Sequence, residues 1–249
     1  MSDNSCISCK MPEFRPTFNN IYSKAALKIV YRKFYPDEKY FLEKYFPKEM
    51  LNGAGVARYN EAGHDTGFLG ATPTNCKDGK CPIEIPGMYF NNNDDVQSLN
   101  FKNIQAVKTI AHELTHVWQS KYFLDKYHKD VFGKKTREEI LPLKLKAEKF
   151  FTKMDTIEVI AKKASKNKLA TSEIIERMKG VPNFCVSKNE FLELDSADQA
   201  DAIGDIVSKL ESFRRQAELN NSDINIKSYE VYVHAFKEIL FLLKTGNND

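Results

Sequence analysis

From Phe101 almost to the C terminus, apolar residues recur at the spacing of an amphipathic helix. Ile104, Val107, Ala111, Leu114 and Trp118 follow one another at steps of 3, 4, 3 and 4. That places all five on one buried face of a helix predicted over about 101–121. Gly133 and Pro142 read as breaks, a lysine-rich amphipathic region runs on to about Met178, and residues 180–183 (Gly-Val-Pro-Asn) form a loop. Two further helices are predicted at about 194–217 and 227–244, separated by Asn220-Asn221-Ser222-Asp223. Upstream, Ala26, Ile29, Val30, Phe34, Tyr40, Phe41 and Tyr45 keep helical spacing from about Lys24 to Phe46, and Pro36 and Pro47 divide that stretch into two short helices. Residues 52–100 change character, with most of the glycines and several Pro and Asn. Short strands are expected there at 54–59, 67–71, 82–85 and 88–91. The first 25 residues have little periodicity and read as an irregular tail. The pattern predicts an α+β fold, a small N-terminal sheet packed on a mainly helical body.

Composition narrows the class. With 249 residues, 42% of them hydrophobic and 12% aromatic, the chain buries a real core, which excludes global disorder. A balance of 37 Lys+Arg against 34 Asp+Glu, a net +3, speaks against a dedicated nucleic-acid binder. The longest apolar stretch, Ile239 to Leu243, falls far short of the roughly 20 residues of a membrane span. The N-terminal residues lack the basic and apolar regions of a signal peptide, so export is expected to use a route without a cleavable signal. Five cysteines are too few for a disulfide-built scaffold. The pairs Cys6/Cys9 and Cys76/Cys81 leave a shared structural zinc, a local Cys76–Cys81 disulfide and free thiols all open, and Cys185 stands alone. The lysine run at 162–168 reads as a solvated helix end.

The strongest chemical signal is His112-Glu113-Leu114-Thr115-His116. Histidines at i and i+4 project from one helix face, where two imidazole nitrogens can meet a single Zn²⁺. Glu113 falls on the adjacent face, suited to act on a water molecule and not to bind the metal. The flanking residues from Thr109 to Trp118 carry no charge outside the motif itself, as a helix beneath a desolvated site requires.

The run Ala111-His112-Glu113-Leu114-Thr115-His116-Val117-Trp118-Gln119 resembles the active-site helix of zincin metallopeptidases, and within them the metallopeptidase domains of bacterial toxins and secreted effectors. The resemblance covers about 20 residues. It implies a zincin-like body from residue 26 to 249 with a helical insertion at about 125–190. It also implies an upstream strand whose edge holds substrate, best matched by Gly87-Met88-Tyr89-Phe90-Asn91. The metzincin pattern fails, because Tyr122 stands where that group has its third histidine. The Glu-ligand type draws its third ligand from a later helix, and Tyr229-Glu230-Val231-Tyr232-Val233-His234 resembles that helix, which makes Glu230 the expected ligand. Asp201, followed by Asp205 in the manner of the thermolysin-type second helix, and Asp198 are its rivals. His234 and Tyr229, with Tyr232 beside them, are candidates to donate to the developing oxyanion. His64 and His128 read as ordinary surface histidines.

The resulting expectation is a zinc-dependent endopeptidase. Zn²⁺ is held by His112, His116 and Glu230, Glu113 is the catalytic base, and a protein or peptide is the substrate. By analogy with effector-type zincins the protein is made in the cytoplasm and exported without a signal peptide, with a cognate immunity or secretion partner. The alternative is a non-catalytic zincin-fold binding protein acting through a partner surface.

Overall fold

The computed structural model describes residues 31–59, 81–91, 98–167, 172–174, 176, 186–220 and 223–246. Its elements are β1 (Tyr31–Lys33), α1 (Pro36–Leu42), α2 (Lys48–Gly53), β2 (Ala54–Tyr59), β3 (Cys81–Pro86), a 3-10 turn (Gly87–Tyr89), α3 (Ile104–Tyr122), α4 (Leu124–Phe132), α5 (Arg137–Asn167), α6 (Lys188–Leu192), α7 (Ser196–Asn220) and α8 (Asp223–Thr245). The fold is α+β, a small sheet on a mainly helical body. Among the described residues the strand order is β1-β2-β3, with β1 antiparallel and β3 parallel to β2.

Several expectations hold and others do not. Strands at 54–59 and 81–86 fall where alternation and turn residues put them. Residues 31–33, expected to be helical, instead pair with 55–57 as a strand. Pro36 does not interrupt a helix but opens one, its fixed φ and missing N–H suiting the first turn of α1. Buried Glu38 then locks the corner. It accepts two 2.7 Å bonds from Arg32 on β1, one from its own helix start at Tyr35 N, and one from Leu99 N at 2.7 Å. Pro142 lies inside α5 and does not break it. It comes early in that helix on an exposed stretch, where water can satisfy the carbonyl that loses its N–H partner. Residues 67–71 and 180–183 lie outside the described residues.

The helical body is organised around α3. Asn103 caps its N terminus by accepting from Gln105 N at 2.9 Å. Val107, Ala111, Leu114 and Trp118 of the predicted stripe are buried in one core cluster shared with β3 and α7. At roughly 1.5–3 kcal/mol for each large apolar side chain removed from water, this face alone anchors the helix. The most extensive helix contact joins α3 to α7. Lys108 pairs with Asp205, His112 with Asp201, and Gln119 with Ser196, so the two helices run antiparallel. They approach closely at Gly204, where a Cβ would stand 3.0 Å from the Lys108 carbonyl oxygen and 3.5 Å from His112 Cβ. Among the described residues no helix is long and apolar enough to cross a membrane.

Candidate metal centre

His112 and His116 stand one turn apart on α3, their Nε2 atoms converging to 3.2 Å. Two nitrogens on one tetrahedral zinc at its usual bond length are about 3.3 Å apart. What lies behind each ring decides the chemistry in front. His112 Nδ1 is 2.9 Å from Asp201 Oδ1, and His116 Nδ1 is 2.7 Å from Gln119 Oε1. Both partners accept, so both Nδ1 atoms carry the proton and, in neutral rings, both Nε2 atoms present lone pairs. Two lone pairs facing each other repel. One cation between them would relieve that repulsion, and two imidazole nitrogens are donors of the kind that zinc accepts.

The local field favours that cation. Burial alone would lower the His112 pKa, but the Asp201 hydrogen bond and the charges of Glu113 and Asp201 outweigh it, and Lys108 opposes only weakly. The ring is therefore held above its ordinary value. Glu113 is 4% exposed, buried beside the pair. The site still opens outward, for the side chains of His112 and Asp201 are 26% and 48% exposed. The Tyr127 ring on α4 forms a further wall, tilted 5.5 Å from His116.

The expected carboxylate ligand is not beside this pair. Glu230 is exposed on α8, a helix that packs chiefly on α5 and α7 and is tied near its start by the 2.8 Å bond from Ser228 Oγ to the Ala161 carbonyl. Among the described residues no group of three or more His, Cys, Asp or Glu is arranged around a common point for a metal ion. Asp201, the rival ligand, lies on the Nδ1 side of His112, where it can orient the ring but cannot share its metal. Asp205, expected to orient a histidine, is paired with Lys108 at 2.5 Å. Asp198 lies one turn before Asp201 on α7. Burial, then the charges of Asp195 and Asp201, push its carboxyl up to about 6.

The proposed oxyanion donors are also placed elsewhere. Tyr229 is half-buried and feels Arg214 and Glu211, and burial raises its pKa. Glu211 lies ten residues beyond Asp201 on α7, about 15 Å along the helix. Tyr232 is fully buried between Phe213 and Phe236, its hydroxyl without a hydrogen-bond partner and kept protonated by burial. His234 is half-buried on α8, and His128 packs its ring near Tyr127 and Phe132.

Residues 87–91 differ from the expected substrate strand. Gly87–Tyr89 is a 3-10 turn, Phe90 bridges Leu99, and Asn91 N donates to Ser98 O at 2.8 Å. That backbone edge is taken by the chain itself. Cys81 is buried at the start of β3 and disulfide-bonded. Cys6, Cys9, Cys76, Cys185 and His64 lie outside the described residues.

Sequence reasoning missed the polar support of the pair. Gln119 and Gln199 are buried amides, and only helical spacing (Gln119 three residues past His116) hints at the first of them. Comparison of the chain with protein-family models, curated proteins and solved structures finds no match.

Proposed function

We propose that the chain is a zinc-dependent endopeptidase, with His112 and His116 holding the metal and Glu113 acting as general base. The observation that carries this reading is the pair of Nε2 lone pairs converging at 3.2 Å beside a buried glutamate. As third ligand we favour Asp198 over Glu230 because α7, and not α8, is the helix that packs along α3, although no third carboxylate stands at the histidine pair among the described residues. His112 and His116 would hold the zinc, which when bound would supply the Lewis-acid charge for peptide hydrolysis. Glu113 takes the proton from a water molecule and passes it to the leaving amine. Asp201 and Gln119 hold the two rings in the tautomer that leaves Nε2 bare. The protein substrate, the export route and any immunity partner rest on the zincin resemblance alone.

The test joins metal content to cleavage. Wild-type protein and Glu113→Gln should each hold one zinc per chain, and only the wild type should generate new N-termini in a protein mixture. Absence of zinc from reconstituted wild type would end the reading. Identical fragments from both proteins would show that a different site or a contaminant cleaves, and fragments from neither would favour the non-catalytic binding protein.

A further inference from the structure

Behind His116 lies a chain of hydrogen bonds whose direction is forced from its far end. Gln199 Nε2 donates to the Phe191 carbonyl at 3.0 Å, and Gln119 Nε2 donates to the Ser196 carbonyl at 2.8 Å. A backbone carbonyl only accepts, so each of these amides must point its NH₂ that way. Gln199 Oε1 is then left to receive the second Gln119 proton, at 2.8 Å. Gln119 Oε1 in turn faces His116 Nδ1 at 2.7 Å. No amide in this series can be reversed without setting two acceptors against each other. Gln119 is fully buried and Gln199 nearly so, and water therefore cannot repair a reversed amide.

We propose that Gln119 is a positioning residue that keeps the histidine pair from closing on itself. The proposal rests on the zinc reading for its purpose, but its physical content is a tautomer. With His112 already donating from Nδ1 to Asp201, its Nε2 is an acceptor. If His116 were free to choose, its proton would move to Nε2 and donate across the 3.2 Å gap to His112. That internal bond would satisfy both rings and occupy the position a metal needs. Gln119 prevents it by demanding the His116 proton at Nδ1. With both protons held at Nδ1 the two Nε2 atoms face each other as acceptors, an orientation that Ser196 and Phe191 fix by anchoring the amides through their backbone carbonyls.

Two substitutions separate this role from simple packing. Gln119→Met keeps the shape and loses the acceptor. Gln119→Glu keeps an acceptor toward His116 while disturbing the bonds to Ser196 and Gln199. Side-chain nitrogen NMR of the zinc-free proteins, above the titration range of the rings, reads the tautomer directly, and competition with a chelator gives zinc affinity. Wild type should show His116 protonated at Nδ1. Gln119→Met should show it at Nε2, with zinc bound ten- to a hundredfold more weakly. Gln119→Glu should be less stable to urea yet keep the Nδ1 proton and bind zinc within about threefold of wild type, a level well inside the loss that removing such a partner causes.

Retention of the Nδ1 proton in Gln119→Met, or its loss in Gln119→Glu, overturns the proposal. If Gln119→Met does not fold, Gln119→Glu decides alone. A wild type that shows the expected tautomer but takes up no zinc would leave this assignment standing and remove the peptidase reading.

Discussion

His112 donates from Nδ1 to Asp201 Oδ1 at 2.9 Å. The aspartate stands behind the ring, so in the proposed site it would act on a metal only by fixing the proton and the plane of the imidazole. Asp201→Ala should therefore weaken zinc binding by ten- to a hundredfold without removing the site. Asp201→Asn, whose amide oxygen can still accept, should lose less. Chelator competition on the purified variants measures both, and equal affinity in wild type and Asp201→Ala would refute the role.

Glu113 has a different signature. Its carboxylate contributes a proton-transfer step and no bond to the metal in the proposed mechanism. Glu113→Gln should keep full zinc content and thermal stability while hydrolysis falls by about 10²- to 10⁴-fold. Loss of metal in this variant would place Glu113 among the ligands instead.

The third ligand is decided by two alanine variants. Asp198→Ala should lower zinc affinity at least tenfold, the smaller end of what disturbing a metal's partners causes. Glu230→Ala, on an exposed face of α8, should leave zinc content unchanged. The reverse result would restore the final helix as the source of the ligand.

Position along the helices was legible in the sequence far better than partnership across them. The stripe from Ile104 to Trp118 named the buried face of α3, because burial on a helix follows local spacing. The two histidines and Glu113 followed from the same spacing. The support from the other helix did not, since Asp201 and Gln199 meet His112 and Gln119 only through the antiparallel register of α3 with α7. Glu230 was chosen from an acid beside an apolar run, a feature α7 shares with α8. Likewise Tyr31-Arg32-Lys33 continues a helical pattern and becomes a strand because β2 offers it an edge.

A second buried carboxylate should contribute to stability against acid. Glu211 receives Arg214 at 2.6 and 2.8 Å, Arg215 at 2.7 Å and the Tyr45 hydroxyl at 3.1 Å. Burial alone would raise its pKa, but the two guanidinium groups outweigh it and hold the carboxyl below its ordinary 4.5. Its folded value is depressed, so its contribution is complete above that ordinary value and is lost as the pH falls through the lower folded one. Glu211→Ala takes a buried carboxylate from two arginines, leaving Arg214 with Glu218 and Arg215 with the Phe101 and Lys102 carbonyls before α3. It should cost about 3–5 kcal/mol at neutral pH. Urea denaturation should also show a shallower loss of stability on acidification, and an unchanged acid slope would exclude Glu211 as its source.

Gly204 sets a tolerance of a few tenths of an ångström on the α3–α7 crossing. Gly204→Ala leaves its methyl 3.0 Å from the Lys108 carbonyl, close enough to require a slight adjustment. Gly204→Val should force the helices apart and lower zinc affinity along with stability, although it alters no ligand. Denaturation and chelator competition on the same samples should move together, and zinc affinity unchanged beside a large loss of stability would break the connection.

The meeting of α3 with α7 also imposes an order on biosynthesis. A ribosome has translated the whole His-Glu-Leu-Thr-His helix about 80 residues before it reaches the amide and carboxylate that prepare the rings for metal. Until α7 emerges and docks, neither Asp201 nor the Ser196 carbonyl is present, and the histidines are free to take whichever tautomer water allows. On the proposed reading, competence for metal would be a late property of the chain, acquired with its tertiary structure and absent from any fragment that ends before residue 196.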